Sequence, residues 1–214
     1  MRLHDYPASG NCYKVRLLLA QLGVDYERVH VDIFDGGTLT DEFAALNPTR
    51  TVPVLETDAG MPLLESNAIL VYLAEGTELL PDDPVERAQV LRWLFYEQAE
   101  IVPSIGGLRV RLAAAVLAPD SGGAQRGRAA GAAALSVLED HLRERRFLVG
   151  ERYSVADIAI YGYVHVAGDA GLDLAEYPSV QGWIERVEAT PGHVDDLDPI
   201  PATTRFGAGR SKYG

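Results

Sequence analysis

Apolar positions along the first 75 residues change period several times, and each change predicts an element. Arg2–Tyr6 predicts a short strand, and Pro7-Ala8-Ser9-Gly10-Asn11 a turn. Val15, Leu18, Leu19 and Leu22 then share one face of a helix that Gly23 closes at the C′ position. Tyr26–Val31 predicts a second strand with Val29 and Val31 facing one way, Asp35-Gly36-Gly37 a loop, and Glu42–Leu46 a short helix that stops before Asn47-Pro48. Two apolar runs, Val52–Thr57 and Met61–Leu64, flank the turn former Asp58-Ala59-Gly60, the pattern of two antiparallel strands. A helix opens at Ser66, with Ala68, Ile69, Tyr72 and Leu73 at helical spacing. The predicted order is β-α-β-α-β-β-α.

The polar, proline-bearing stretch 76–84 predicts a linker, and 85–214 then reads as helical with an extended tail from His193. Ala88, Leu91 and Phe95 share a face of a long helix, expected to bend at Pro103. Leu135, Leu138 and Leu142 mark another helix, and a last one spans roughly Val180–Ala189. In Tyr153-Ser154-Val155-Ala156-Asp157-Ile158, Ser154 and Asp157 form a capping box, with Tyr153 and Ile158 as its apolar staple. That box has a structural role and no catalytic one.

Charge and cysteine content narrow the classes. Thirty-one acids against 19 Lys plus Arg give a formal charge of −12, which disfavours nucleic acid and anionic membrane as partners. No apolar run approaches membrane-spanning length, and Met1–Asp5 lacks the apolar core of a signal peptide. The single cysteine, Cys12, excludes a disulfide framework within the chain and suits a reducing compartment, so a cytoplasmic location is expected. His4, His30, His141, His165 and His193 show no metal-ligand spacing with one another or with Cys12, so no metal is expected.

Candidate chemistry sits at two places. Ser66 is a good N-cap, but the residue before it, where an apolar staple is common, is Glu65. An acid beside the free N–H groups of a helix start suits a ligand carrying an amine and a carboxylate together. Upstream, Val52-Pro53 opens a strand. A proline there belongs on an edge, at a strand start or in a cis turn, and a cis bond would let the backbone beside it pair with an extended ligand. Ser9-Gly10-Asn11-Cys12, between the first strand and first helix, has C-x-x-C spacing with serine in the first position. A helix N-terminus there stabilises developing negative charge. Ser9 and Asn11 equally suit a plain turn and helix cap. Cys12 can be a small buried core residue, a thiol that forms a mixed disulfide, or a redox-sensitive group.

The Val-Pro, strand, strand, Glu-Ser, helix series over Asn47–Glu75 resembles that of the glutathione transferase family, and the capping box at Ser154–Asp157 resembles its helical domain. The resemblance covers nearly the whole length. It implies an α/β thioredoxin-like domain at 1–75 and an all-α domain beyond the linker. It also implies a transferase of detoxification type that conjugates glutathione thiolate to a small electrophile and works as a homodimer. By the same resemblance, Ser9 and Asn11 are the catalytic pair. Arg50, Thr51, Val52, Pro53, Glu65 and Ser66 bind glutathione, and Cys12, Tyr96 and Arg109 face the electrophile. Thr51 departs from the Lys, Arg or Gln often found just before Val-Pro. Ser9-x-Asn11 resembles the Thr-x-Asn pair of bacterial nu-type members, which implies glutathione-dependent disulfide reduction as an alternative. A transferase-like binding protein without catalysis is a third reading, against which Ser9, Glu65 and Ser66 argue.

Overall fold

The computed structural model describes residues 1–202 and 204. Its N-terminal part is a four-stranded sheet of order β2-β1-β3-β4, built from β1 (Arg2–Asp5), β2 (Glu27–His30), β3 (Val54–Glu56) and β4 (Pro62–Leu64). β1 runs parallel to β2, with Arg2 opposite Glu27, and antiparallel to β3, with Leu3 opposite Leu55. The parallel pair needs a crossover, which α1 (Gly10–Leu22) supplies. A turn of 3₁₀-helix (Gly37–Leu39) and α2 (Asp41–Leu46), capped by Thr40, lead into β3, and α3 (Ser66–Ala74) follows β4. The element order matches the pattern expected from the sequence, with every strand shorter than its apolar run.

α3 does not begin as the sequence suggested. The capping residue is Glu65, in a left-sided conformation (φ 66°, ψ 113°) and with no side-chain cap bond, while Ser66 is the first helical residue. The Ser66 hydroxyl is drawn instead to Asn11 on the neighbouring helix.

Beyond Asp83, which caps α4 (Pro84–Tyr96) through the N–H groups of Val85 and Glu86, the chain is helical. α4 passes without a break into a π-helical segment (Glu97–Gly106) and then α5 (Gly107–Ala113). Pro103 lies inside the π segment. It has no N–H to give to the i−4 carbonyl, so the regular ladder cannot run through it, and the helix is widened there. α6 (Gly122–Leu142), α7 (Val155–Val164) and α8 (Pro178–Glu188) complete the bundle. The capping box at the start of α7 is present: Ser154 Oγ accepts from the N–H of Ala156, and Asp157 Oδ2 accepts from the N–H of Ser154.

The principal core joins both parts. α1 packs on α3 on one side and on α7 on the other, so Leu17, Leu18, Ile69, Trp93, Leu138, Ile158 and Trp183 belong to one apolar cluster. A smaller cluster lies at the other end of α1, where Cys12 packs with Tyr6, Phe34, Phe43 and Val54. After α8 the chain has no regular element through Ile200, in keeping with the extended tail expected from His193; residues 203 and 205–214 of that tail lie outside the described residues. Among the described residues no helix is long and apolar enough to cross a membrane.

Candidate active site

The end of β1 and the start of α1 set the geometry. The Ser9 N–H donates to the Tyr6 carbonyl (3.0 Å) and closes the loop. Ser9 is then the N-cap of α1, its Oγ accepting from the Cys12 N–H at 3.3 Å. Close approach fixes the rest. A Cβ on Gly10 would fall 2.5 Å from the Tyr163 ring of α7, and one on Gly106 would fall 2.6 Å from the same ring, so only glycine lets both helices approach it.

Here a cleft of about 230 Å³ opens between the two parts of the chain. Tyr6, Ala8, Ile33, Phe34 and Val52 form its floor on the sheet side; Val102, Gly106, Val110 and Tyr163 face them from the helical side. Ser9 and Asn11 stand at the helix start between these walls. The surface is chiefly apolar, with one hydroxyl, one amide and two arginines, Arg109 and Arg111, as its polar side chains apart from the two tyrosines.

Val52-Pro53 is a cis peptide at the edge of this cleft. Val52 lies outside the β3 ladder, and no backbone bond joins its N–H or C=O to another described residue. Asn11 links the cleft to α3, since its Oδ1 accepts from Ser66 Oγ at 3.2 Å. Behind Ser66, Lys14 Nζ donates to Asn67 Oδ1 and to Glu97 Oε1, each at 2.8 Å, and Asn67 Nδ2 donates to Glu97 Oε2 at 2.9 Å. Lys14 and Glu97 are both fully buried, so neither charge would be tolerated without the other. Glu65 is exposed beside this cluster.

Ser9, Asn11, Val52, Pro53, Glu65 and Ser66 are therefore brought together around one helix junction. The other sequence candidates are placed differently. Cys12 is fully buried in the smaller core and does not line the cleft; burial, with the nearby Asp5 charge, pushes its thiol up to about 12. Its side chain points under the helix start because it lies three positions after the cap, on the inward face. Tyr96 also lies away from the cleft: its hydroxyl donates to the Ala134 carbonyl at 3.1 Å, and its ring meets Trp93 edge-on. The helix face that meets the cleft begins a turn later, at Val102. Arg109 does border the cleft, but each of its three nitrogens is already engaged. Nε pairs with Asp169 at 2.7 Å, Nη1 donates to the Ala8 carbonyl at 2.9 Å and Nη2 to the Asp198 carbonyl at 3.4 Å. These bonds tie the walls of the cleft together, which gives Arg109 a structural role. Arg50 donates through Nη1 to the Leu39 carbonyl, and Thr51 Oγ1 joins Asn47 and Thr49, so both side chains are tied into their own loop.

The sequence reading missed Tyr6, Phe34, Val102, Tyr163 and Ile200 as cleft residues. The Gly106-Gly107 pair was the one usable signal, since two adjacent glycines inside a helix mark a close approach. Among the described residues no group of three or more His, Cys, Asp or Glu could hold a metal ion.

Comparison with known proteins places the chain in a family. Residues 1–75 match the model of the glutathione S-transferase N-terminal domain, and residues 121–186 that of the C-terminal domain. The chain is 35% identical to the disulfide-bond oxidoreductase YfcG of Escherichia coli K12, over 85% of this chain and 87% of that one. A glutathione S-transferase from Pseudomonas fluorescens Pf-5 superposes with a TM-score of 0.89 at 44% identity, covering 92% of this chain and 98% of its own. A glutathione transferase from Pseudomonas putida, solved with one glutathione disulfide bound per subunit, superposes with a TM-score of 0.79 at 30% identity, covering 89% and 87%. The chain belongs to the glutathione S-transferase family.

Proposed function

We propose that the protein activates the thiol of glutathione at the start of α1 and transfers it to a small apolar electrophile in the adjoining cleft. The observation that carries this reading is the placement of Ser9 and Asn11, on one helix start, in the lining of a cleft whose surface is chiefly apolar. An extended tripeptide lying along Val52 would use the N–H and C=O of that residue, which pair with no other described residue. Its γ-glutamyl amine would meet Glu65, and its α-carboxylate Ser66 and the first N–H groups of α3.

The chemistry asked of the chain is modest. A glutathione thiol with a pKa of about 8.5 is only a few per cent ionised at neutral pH, and lowering it by two units needs about 2.7 kcal/mol. A hydrogen bond from the Ser9 hydroxyl to the thiolate, with the α1 N-terminus behind it, is of that size. The thiolate then attacks the electrophilic carbon, the C–S bond forms, and the leaving group departs with its electron pair. Apolar walls hold the two reactants in contact and keep water off the sulfur.

Glutathione-dependent disulfide reduction is the second reading, favoured by the 35% identity to YfcG and by the disulfide bound in the Pseudomonas putida neighbour. In it the same Ser9-held thiolate attacks a disulfide sulfur and expels one thiolate, and a second glutathione thiolate then attacks the glutathione sulfur of the mixed disulfide, giving glutathione disulfide and releasing the second thiolate. Incubation with glutathione and 1-chloro-2,4-dinitrobenzene, beside glutathione and bis(2-hydroxyethyl) disulfide, tests both. Thioether formation supports conjugation. Disulfide reduction without thioether favours the second reading, and neither product overturns the first proposal and the second alike.

A further inference from the structure

The segment after α8 runs back along α1, a strap held by a series of specific bonds, and reaches the cleft at Ile200. Gly192, at φ 73°, passes so close to α1 that a Cβ there would fall 2.9 Å from Gln21 Cα. The Tyr13 hydroxyl donates to the Val194 carbonyl at 2.7 Å. Arg16, on the second turn of α1 and only 1% exposed, is the centre of the attachment. Its Nε donates to both carboxylate oxygens of Asp196, at 3.0 and 2.9 Å, and its Nη2 donates to the Asp196 carbonyl at 2.8 Å and to the Pro7 carbonyl at 3.1 Å. Nη1 holds the buried carboxylate of Asp5 at 2.6 Å, and Arg28 bridges Asp5 and Asp196 from β2. Further on, the Asp198 N–H donates to the Pro7 carbonyl at 3.3 Å, and its carbonyl accepts from Arg109. Ile200 then reaches the cleft, packed on the smaller core.

Two features show that this path is built. A guanidinium taken almost wholly out of water is stable only if every arm is matched, and Arg16 spends its arms on three segments: the end of β1, the loop before Ser9, and the strap. Among the described residues of the strap, Ile200 is the side chain that lines the cleft.

We infer that Ile200 is a specificity-determining residue, the outer wall of the acceptor cleft, and that the Arg16–Asp196 pair is the positioning latch that seats it. The occupant it selects is an apolar acceptor group, its allowed length set by the side chain at position 200. This rests on the proposed function only in naming the occupant; the wall itself can be tested without glutathione.

Binding of the apolar dye 8-anilinonaphthalene-1-sulfonate, followed by fluorescence, needs no glutathione. Titration with S-methylglutathione and S-hexylglutathione, followed by calorimetry, then separates the acceptor side from the tripeptide side. Ile200→Trp should fill the cleft and weaken the dye and S-hexylglutathione about tenfold, while S-methylglutathione changes less than about twofold. Ile200→Ala should remove contact with the hexyl chain and weaken it severalfold relative to S-methylglutathione. Asp196→Asn, which leaves position 200 untouched, removes the charge partner of Arg16 and should shift S-hexylglutathione binding in the same direction as Ile200→Ala, because the strap is seated less firmly. If all three variants bind dye and hexyl derivative within twofold of the parent protein, the wall is refuted. If the two glutathione derivatives bind to no variant and not to the parent, while the dye still responds to position 200, the wall stands and the glutathione reading is what fails.

Discussion

The hydroxyl of Ser66 donates to Asn11 Oδ1 across 3.2 Å, and this bond joins the first turn of α3 to the first turn of α1. The first turn of α3 is where an amine and a carboxylate would be gripped, and the first turn of α1 is where a thiolate would be held. The Lys14–Asn67–Glu97 cluster fixes the same two helices one layer deeper. The spacing between the two ends of such a ligand would thus be set by the helix pair. Ser66→Ala and Glu65→Gln should each weaken glutathione binding by roughly ten- to hundredfold, the equivalent of about 1.5–3 kcal/mol for a charge-assisted bond. Calorimetric titration checks this, with circular dichroism to show the fold unchanged. Unaltered affinity in both variants would remove the γ-glutamyl assignment.

Asp157 supports the fold from the opposite end of the helical part. Fully buried, it accepts from the N–H of Leu148 at 2.9 Å, the N–H of Ser154 at 3.0 Å and the Trp183 indole at 2.9 Å. Removing it strands three buried donors and the cap of α7 at once. Asp157→Ala should cost about 3 kcal/mol or more, read as a drop in the urea midpoint. A loss below about 1 kcal/mol would mean that water replaces the carboxylate and that the box is ornamental.

The pH dependence of stability should carry the mark of His165. Its ring stacks on Tyr161 at 4.4 Å, its Nδ1 bonds the Tyr161 carbonyl at 2.5 Å, and its Nε2 has no partner among the described residues. Burial, reinforced by the Arg109 charge, lowers its pKa to about 4, against the partly opposing carbonyl bond and Asp195. Tyr13 from α1 and His193 from the strap also face it. A histidine pKa lowered on folding contributes stability that is present above the unfolded value of about 6.5 and lost as pH falls toward the folded value. Stability should therefore decline between about pH 6.5 and 4, by at most roughly 1.4 kcal/mol per pH unit from this group. His165→Phe should flatten that part of a urea-midpoint-against-pH curve; an identical slope in the variant would assign the decline to the carboxylates.

The strands, the helix order, the capping box and the break in the α-helical ladder around Pro103 were legible because each is local. A period, a cap or a missing N–H is a property of a few consecutive residues. The N-cap of α3 was misread because serine normally wins that position by its hydroxyl, and here a tertiary partner, Asn11, holds the hydroxyl instead. Lys14, Arg16 and Glu97 gave no signal, since a charged residue in a helical run reads as solvated until its partner from another element is known. The cleft wall at Ile200 was invisible for the same reason: 191 residues separate it from Ser9, and no pattern spans that distance.

Pairing of two subunits is expected from the surface of α4. Leu91 and Phe95 stand exposed on it, Phe95 at 72%, and Tyr72 of α3 and Met61 are exposed on the N-terminal part. Large apolar side chains left in water at this density suit a twofold interface. Sedimentation at micromolar concentration should give twice the 23.2 kDa of the chain. Phe95→Asp should shift the distribution to the monomer; a parent protein that sediments at the chain mass refutes the pairing.

The group that handles the thiolate is decided by comparing Ser9 with Cys12. Ser9 is the cap of α1 and lines the cleft, whereas Cys12 is wholly buried with its thiol pushed up to about 12. At neutral pH Cys12 is a packed thiol with no negative charge to offer and no path to a ligand, so Cys12→Ala should change stability and leave the pH profile of the reaction alone. Ser9→Ala should act on ionisation. If the bound thiol lies near pH 6.5 in the parent and returns toward 8.5 in the variant, the thiolate fraction at pH 6.5 falls by up to about fiftyfold and at pH 9 by less than about twofold. The two variants thus differ in shape as well as size: one profile shifts along the pH axis and the other does not. Thiolate absorbance of the glutathione complex against pH reads the shift directly, and intact mass after oxidised glutathione reads any adduct on Cys12. A flat response to Ser9→Ala, together with an adduct that Cys12→Ala abolishes, would transfer the role to the cysteine. The burial of Cys12 beneath the cap argues for the opposite result, because a mixed disulfide there would need the first turn of α1 to open.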